Sequence, residues 1–146
     1  MNHRITRKAA ALWLAAAIFV LLAPLSGITA EQAKSISFPA ISADGETVYF
    51  SYWGDIWSAP ADGSALARRL TDNVAYDARP TLSPDGGRIA FLSDRFGNFD
   101  IFVMPEQGGE AQRLTWDSAV DYPYDWNRDG SAVLAYTMRQ DLWGIC

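Results

Sequence analysis

Between residues 79 and 115 the apolar positions fall into four short runs. Arg79–Ser83, Arg88–Ser93, Phe99–Met104 and Ala111–Thr115 hold the bulky side chains, while Pro84-Asp-Gly-Gly87, Asp94–Asn98 and Pro105–Glu110 hold turn formers and charge. Runs this short, rich in β-branched and aromatic residues, read as strands on half-buried pleated surfaces. Gly86 and Gly87 can take the positive φ of a tight hairpin, Pro84 presets φ, and Asp85 can accept a hydrogen bond from nearby backbone. The pattern predicts a four-stranded antiparallel meander.

The same pattern occurs on either side. Pro39-Ala-Ile-Ser-Ala-Asp44-Gly45, Val48-Tyr-Phe50, Asp55-Ile-Trp57, Asp62-Gly63 and Leu70-Thr71 return as Pro80-Thr-Leu-Ser-Pro-Asp85-Gly86, Ile89-Ala-Phe91, Asp100-Ile-Phe102, Gly108-Gly109 and Leu114-Thr115. A third copy begins at Asp129-Gly130 and reaches Asp141-Leu-Trp143. A period of about 40 to 45 residues with four strands per copy predicts the blades of a β-propeller, because one meander cannot bury both of its apolar faces alone. Trp57, Phe102 and Trp143 hold matching positions and are expected to pack between blades. The fold class is therefore all-β, with blades at about 38–77, 78–122 and 123–146, the last incomplete. Even a four-bladed ring needs about 160 to 170 residues at this period, more than residues 31–146 supply, so about two and a half blades are expected. Their open edges predict self-association.

The first thirty residues break the rhythm. Arg4, Arg7 and Lys8 form a basic start, Ala9 to Ala23 lacks any polar residue, and Pro24 to Ala30 turns small and turn-prone. This layout predicts a signal-peptide helix over 1–30 with cleavage after Ala30, although Ile28 is bulkier than the usual pattern prefers. The apolar centre is short for a membrane span, and an uncleaved anchor is the alternative. The expected location is periplasmic or secreted, with no membrane contact after cleavage.

All 17 acidic residues lie beyond residue 30, and three of the 12 basic ones precede it, which leaves the remainder at −8. Nucleic acid is excluded as a partner, since binding it takes clustered cations. Arg68-Arg69 is the one basic doublet there and is read as solvating an outer strand edge. Cys146 is the sole cysteine, so packing without an internal disulfide must stabilise the fold. His3 is the sole histidine and lies within the signal segment. No Ser/His/Asp or Cys/His arrangement can form in residues 31–146, and no catalytic, cofactor-binding or metal residue is assigned.

Three sets of residues invite chemistry and are read otherwise. Asp125-Trp-Asn127-Arg-Asp129-Gly130 matches the first six positions of a calcium loop, but position 12 is Tyr136 rather than glutamate, and a hairpin is expected. Asp117, Asp121 and Asp125 are read as a solvated connection between blades, because Pro123 and its aromatic neighbours break the helix that would align them. Among many aromatics, the loop residues Tyr52, Trp53 and Trp116 are the candidates for a surface contact.

Ser83-Pro-Asp-Gly86, Ser93-Asp-Arg95, Asp100-Ile-Phe-Val-Met104 and Arg113-Leu-Thr115, in that order, resemble the TolB-type propeller repeat, which also opens the tricorn-type serine peptidases. Gly54-Asp-Ile-Trp57, Pro60-Ala-Asp-Gly63 and Ala67-Arg-Arg-Leu-Thr71 are especially similar to the first blade of secreted tricorn homologues, and Asp121-Tyr-Pro123 with Trp126 resembles the start of their third. The resemblance implies the amino-terminal propeller portion of a larger secreted peptidase, cut short at Cys146, that gates peptides or contacts proteins. The nucleophile and histidine would lie in downstream domains. A TolB-like periplasmic binding or scaffold propeller is the alternative. Peptides or proteins are the implied partners.

Overall fold

The computed structural model describes residues 35–139. The expected signal-peptide helix, His3, Asp141-Leu-Trp143 and Cys146 lie outside the described residues. Ten strands follow in order: β1 (Ser37–Ile41), β2 (Thr47–Tyr52), β3 (Asp55–Pro60), β4 (Arg68–Arg69), β5 (Asp77–Leu82), β6 (Arg88–Ser93), β7 (Asp100–Pro105), β8 (Gln112–Arg113), β9 (Asp121–Trp126) and β10 (Val133–Thr137). β1 to β4 and β5 to β8 form two four-stranded sheets in chain order, and β9 pairs with β10. Every pairing is antiparallel, as the alternating pattern predicts.

The Asp-Gly turns make the first hairpin of each copy. Gly45, Gly86 and Gly130 sit at φ of 77°, 71° and 72°, where a Cβ would be strained. Asp44, Asp85 and Asp129 each accept the amide two residues on, from Glu46, Gly87 and Ser131. The negative form of each carboxylate is the better acceptor, so all three are held below the usual carboxylate range, chiefly by the neighbouring hydroxyls of Ser42, Ser83 and Ser131. Asp62, in the turn after β3, is lowered in the same way by Ser64.

The core lies between sheets. Tyr49, Ile56 and Leu70 of the first sheet and its flank pack with Ile89, Phe91, Phe102 and Met104 of the second. On the opposite side of the second sheet, Ala90 and Ile101 pack with Trp126 and Val133 of the β9–β10 hairpin. Successive side chains of a strand point to opposite faces, so a middle blade must be apolar on both. This explains why Ile89-Ala-Phe-Leu92 reads as an unbroken buried run. Phe102 does pack between blades. Trp57 lies half-buried opposite Phe50, on the other face of the first sheet from Tyr49, and its indole donates to the Tyr52 carbonyl at 3.1 Å.

Polar ties also cross from blade to blade. The Tyr49 hydroxyl donates to the Glu106 carboxylate, and Trp126 Nε1 donates to the Thr81 carbonyl at 3.0 Å. Burial first, and then the hydrogen bond to Glu106 and its charge, push the Tyr49 hydroxyl above its ordinary pKa.

The outermost strands are shorter than the pattern predicts, two residues at Gln112–Arg113 where Ala111–Thr115 was expected. The reason is a side chain that takes over from the ladder. Leu114 still donates its amide to the Ile101 carbonyl at 2.7 Å, but the Ile101 amide turns to Thr115 Oγ1 at 3.0 Å. Leu70, Ile56 and Thr71 repeat this arrangement in the first sheet.

Candidate ligand-binding surface

The buried carboxylates that open the third strand of each four-stranded sheet are committed to structure. Asp100 Oδ1 accepts from Thr115 Oγ1 at 3.1 Å and its Oδ2 pairs with Arg113 at 2.6 Å, while Arg113 Nε donates back to the Thr115 carbonyl at 2.6 Å. Asp55, Thr71 and Arg69 form the same closed set, with distances of 3.3, 2.8 and 2.7 Å. Arg69 therefore turns inward to a carboxylate, whereas Arg68 reaches the Gln107 carbonyl of the next sheet at 2.9 Å. The recurrent Asp-Ile-aromatic and Arg-Leu-Thr elements are the two halves of one latch.

Asp121 corrects the expected solvated connection. It is 1% exposed, and its Oδ2 accepts from Arg139 at 2.6 Å. Asp77 and Arg95 make the equivalent pair at 2.8 Å. The amides of both aspartates close onto the preceding blade, Asp77 on the Gly54 carbonyl at 2.7 Å and Asp121 on Phe99 at 3.0 Å. Asp117 lies 3.8 Å from Arg139, and Asp125 is exposed and accepts the neighbouring Trp126 amide. In place of a calcium loop, residues 127–132 form the β9–β10 hairpin, where Asn127 and Asp129 oxygens accept the amides of Ala132 and Ser131. Among the described residues no cluster of His, Cys, Asp or Glu is placed to hold a metal ion.

The loops that join β2 to β3, β6 to β7, and each sheet to the next share one end of the blades, opposite the Asp-Gly turns. There the structure brings Tyr52 and Trp53 together with Tyr76, around a cleft of about 600 Å³ also lined by Ile36, Ser37 and Ser51. Trp53 is 83% exposed, stands at φ of 52°, and its ring lies 6.2 Å from Tyr52. Tyr52 in turn meets Trp57 edge-on at 5.8 Å. Tyr76 is positioned through its amide, which donates to Asp94 Oδ1 at 2.8 Å, and through its ring, 6.2 Å from Phe99. Gly54 permits the approach, since a Cβ there would stand 3.3 Å from the Tyr76 ring.

Trp116 is exposed as expected but does not line the cleft. Tyr76 is one of the many aromatics of the sequence, and its place immediately before the Asp77 strand is the signal for its role. Among the described residues no charged side chain lines the cleft, and those that do offer stacking faces, hydroxyls and backbone groups.

Comparison with known proteins places this geometry. The tricorn protease N-terminal beta propeller domain matches residues 33–144. The chain belongs to that family. It is 37% identical over 116 residues to tricorn protease homolog 1 of Streptomyces coelicolor, covering 78% of this chain and 11% of that protein. It is 34% identical over 89 residues to a TolB homolog of Chlorobium luteolum, covering 58% of this chain and 20% of the relative. The chain thus spans a fifth or less of the curated relatives it matches. Among solved structures, a TolB from Agrobacterium tumefaciens superposes with a TM-score of 0.64 at 20% identity, covering 78% of this chain and 46% of that one. The tricorn protease superposes with a TM-score of 0.59 at 20% identity, covering 70% and 11%. The structural likenesses show the fold, and the tricorn-family blades are what position the Tyr52, Trp53 and Tyr76 loops.

Proposed function

We propose that this chain is the amino-terminal propeller portion of a secreted tricorn-like serine peptidase, acting as a peptide-gating or protein-interaction module without its own catalytic centre. The observation that carries the reading is the tricorn family match over residues 33–144, with 37% identity to a tricorn homolog. The aromatic cleft supports it, because stacking faces beside hydroxyls suit an extended peptide. The basic start and apolar run of residues 4–23 support export to the periplasm or beyond. Peptides or proteins are the partners. The coding DNA beyond Cys146 tests the reading. Further blades followed by a serine- and histidine-bearing region agree with it, and a closed propeller followed by a stop contradicts it.

The second reading is a TolB-like periplasmic binding or scaffold propeller, favoured by the 34% identity to a TolB homolog. It predicts that the closed ring occurs without any peptidase region.

A further inference from the structure

Arg79 occupies an unusual position in β5. It stands at φ of 57° within the register shift between Ala78 and Thr81, and Phe38 stands at φ of 51° in the matching shift of β1. Left-handed backbone is costly for a long side chain, and it persists only where the surroundings enforce it. The enforcement here comes from both neighbours. Arg79 Cζ lies 4.2 Å from the Phe38 ring of β1 and 5.3 Å from the Tyr122 ring of β9, so the guanidinium is held between the first strands of adjacent blades.

The other half-buried arginines, Arg95, Arg113 and Arg139, pair with Asp77, Asp100 and Asp121. Among the described residues, no carboxylate or carbonyl accepts from the Arg79 guanidinium. The two rings lie against the guanidinium, whose N–H donors form a planar fork. Such a fork matches a carboxylate in bidentate fashion. The position is also coupled to the cleft, because the Arg79 amide donates at 3.0 Å to Ser51 Oγ, and Ser51 lines it.

We propose that Arg79 is the anion-binding residue of this surface, taking a carboxylate of a peptide whose apolar part lies against Tyr52, Trp53 and Tyr76. The proposal rests on the peptide reading of the cleft. Phe38 and Tyr122 are positioning residues that hold the guanidinium plane. The carboxylate comes from an acidic side chain or from the peptide's end, and the two sources are separable.

Calorimetric titration of the full chain with three N-acetylated peptides tests this: Ala-Phe-Ala amide, Ala-Phe-Glu amide and Ala-Phe-Ala free acid. One of the two anionic peptides is expected to bind about tenfold tighter than the neutral one, as a charge-assisted hydrogen bond should give. Which of them does so identifies the source. Arg79→Gly suits the positive φ and should fold, lose that preference and keep the affinity for the neutral peptide. Arg79→Lys should retain part of the preference, since it keeps the charge and loses the fork. Equal binding of all three peptides, or a preference that survives Arg79→Gly, overturns the proposal and leaves the peptide reading standing. If no peptide binds, N-acetylglycine is the remaining probe. Its binding, lost in Arg79→Gly, supports the anion site without the peptide reading, and its failure to bind overturns both.

Discussion

Asp100 and Arg113 meet at 2.6 Å, with the carboxylate fully buried and its second oxygen taken by Thr115. Asp55 and Arg69 make the same contact one blade earlier, but there the arginine side chain is 44% exposed. The more buried latch should matter more, because removing one partner strands the other charge away from water. Asp100→Ala is expected to cost about 3 to 5 kcal/mol, and Asp55→Ala less. Urea unfolding of the two variants checks the order.

Trp126 anchors the third hairpin through its buried ring and its indole bond to Thr81. Trp126→Ala should cost about 3 to 5 kcal/mol, and hydrogen exchange should show β9 and β10 opening ahead of the first two sheets. Trp126→Phe keeps most of the packing, loses the indole donor, and should cost about 0.5 to 1.5 kcal/mol.

The tie between Tyr49 and Glu106 makes a prediction at high pH. Burial raises the folded pKa of Tyr49 above the ordinary value of 10.0, so the unfolded chain releases this proton first. Stability from this group is whole below pH 10.0 and is lost as pH rises through the folded pKa. Thermal melts between neutral pH and pH 11 should show a decline that is smaller in Tyr49→Phe.

At low pH the turn aspartates act in the opposite sense. Asp44, Asp62, Asp85 and Asp129 have folded pKa values below the ordinary 3.8, so the unfolded chain binds protons first on acidification. Their contribution is present above 3.8 and is lost as pH falls below it. Asp85→Asn, which keeps an amide oxygen as acceptor, should flatten the acid limb of a melting-temperature profile measured from pH 6 downward.

Much of this fold was legible because turn chemistry and strand periodicity are local. Arg88–Ser93 forms a strand over the residues its pattern marks, and the Asp85-Gly86 hairpin closes where its residues require. Features that depend on distant partners were not legible. Thr115 ends the outer ladder only because Asp100 and Ile101 are there to receive its hydroxyl. Asp121 reads as loop charge in the sequence, whereas in the fold it is buried and paired with Arg139, 18 residues on. The Arg79 clamp needs two neighbouring blades and a backbone φ that no local pattern announces. Tyr52 and Trp53 were readable as loop aromatics, but their meeting with Tyr76 depends on how Gly54 brings the blades together.

Peptide binding by the full chain and its Trp53→Ala variant tests the central claim most directly. Trp53 is exposed and outside both core clusters, so its removal should leave the melting temperature nearly unchanged. The account predicts saturable binding of an unstructured apolar peptide, weakened about tenfold in Trp53→Ala by the loss of one aromatic contact. Binding that is absent in the unmodified chain, or that is equal in the two proteins, contradicts it.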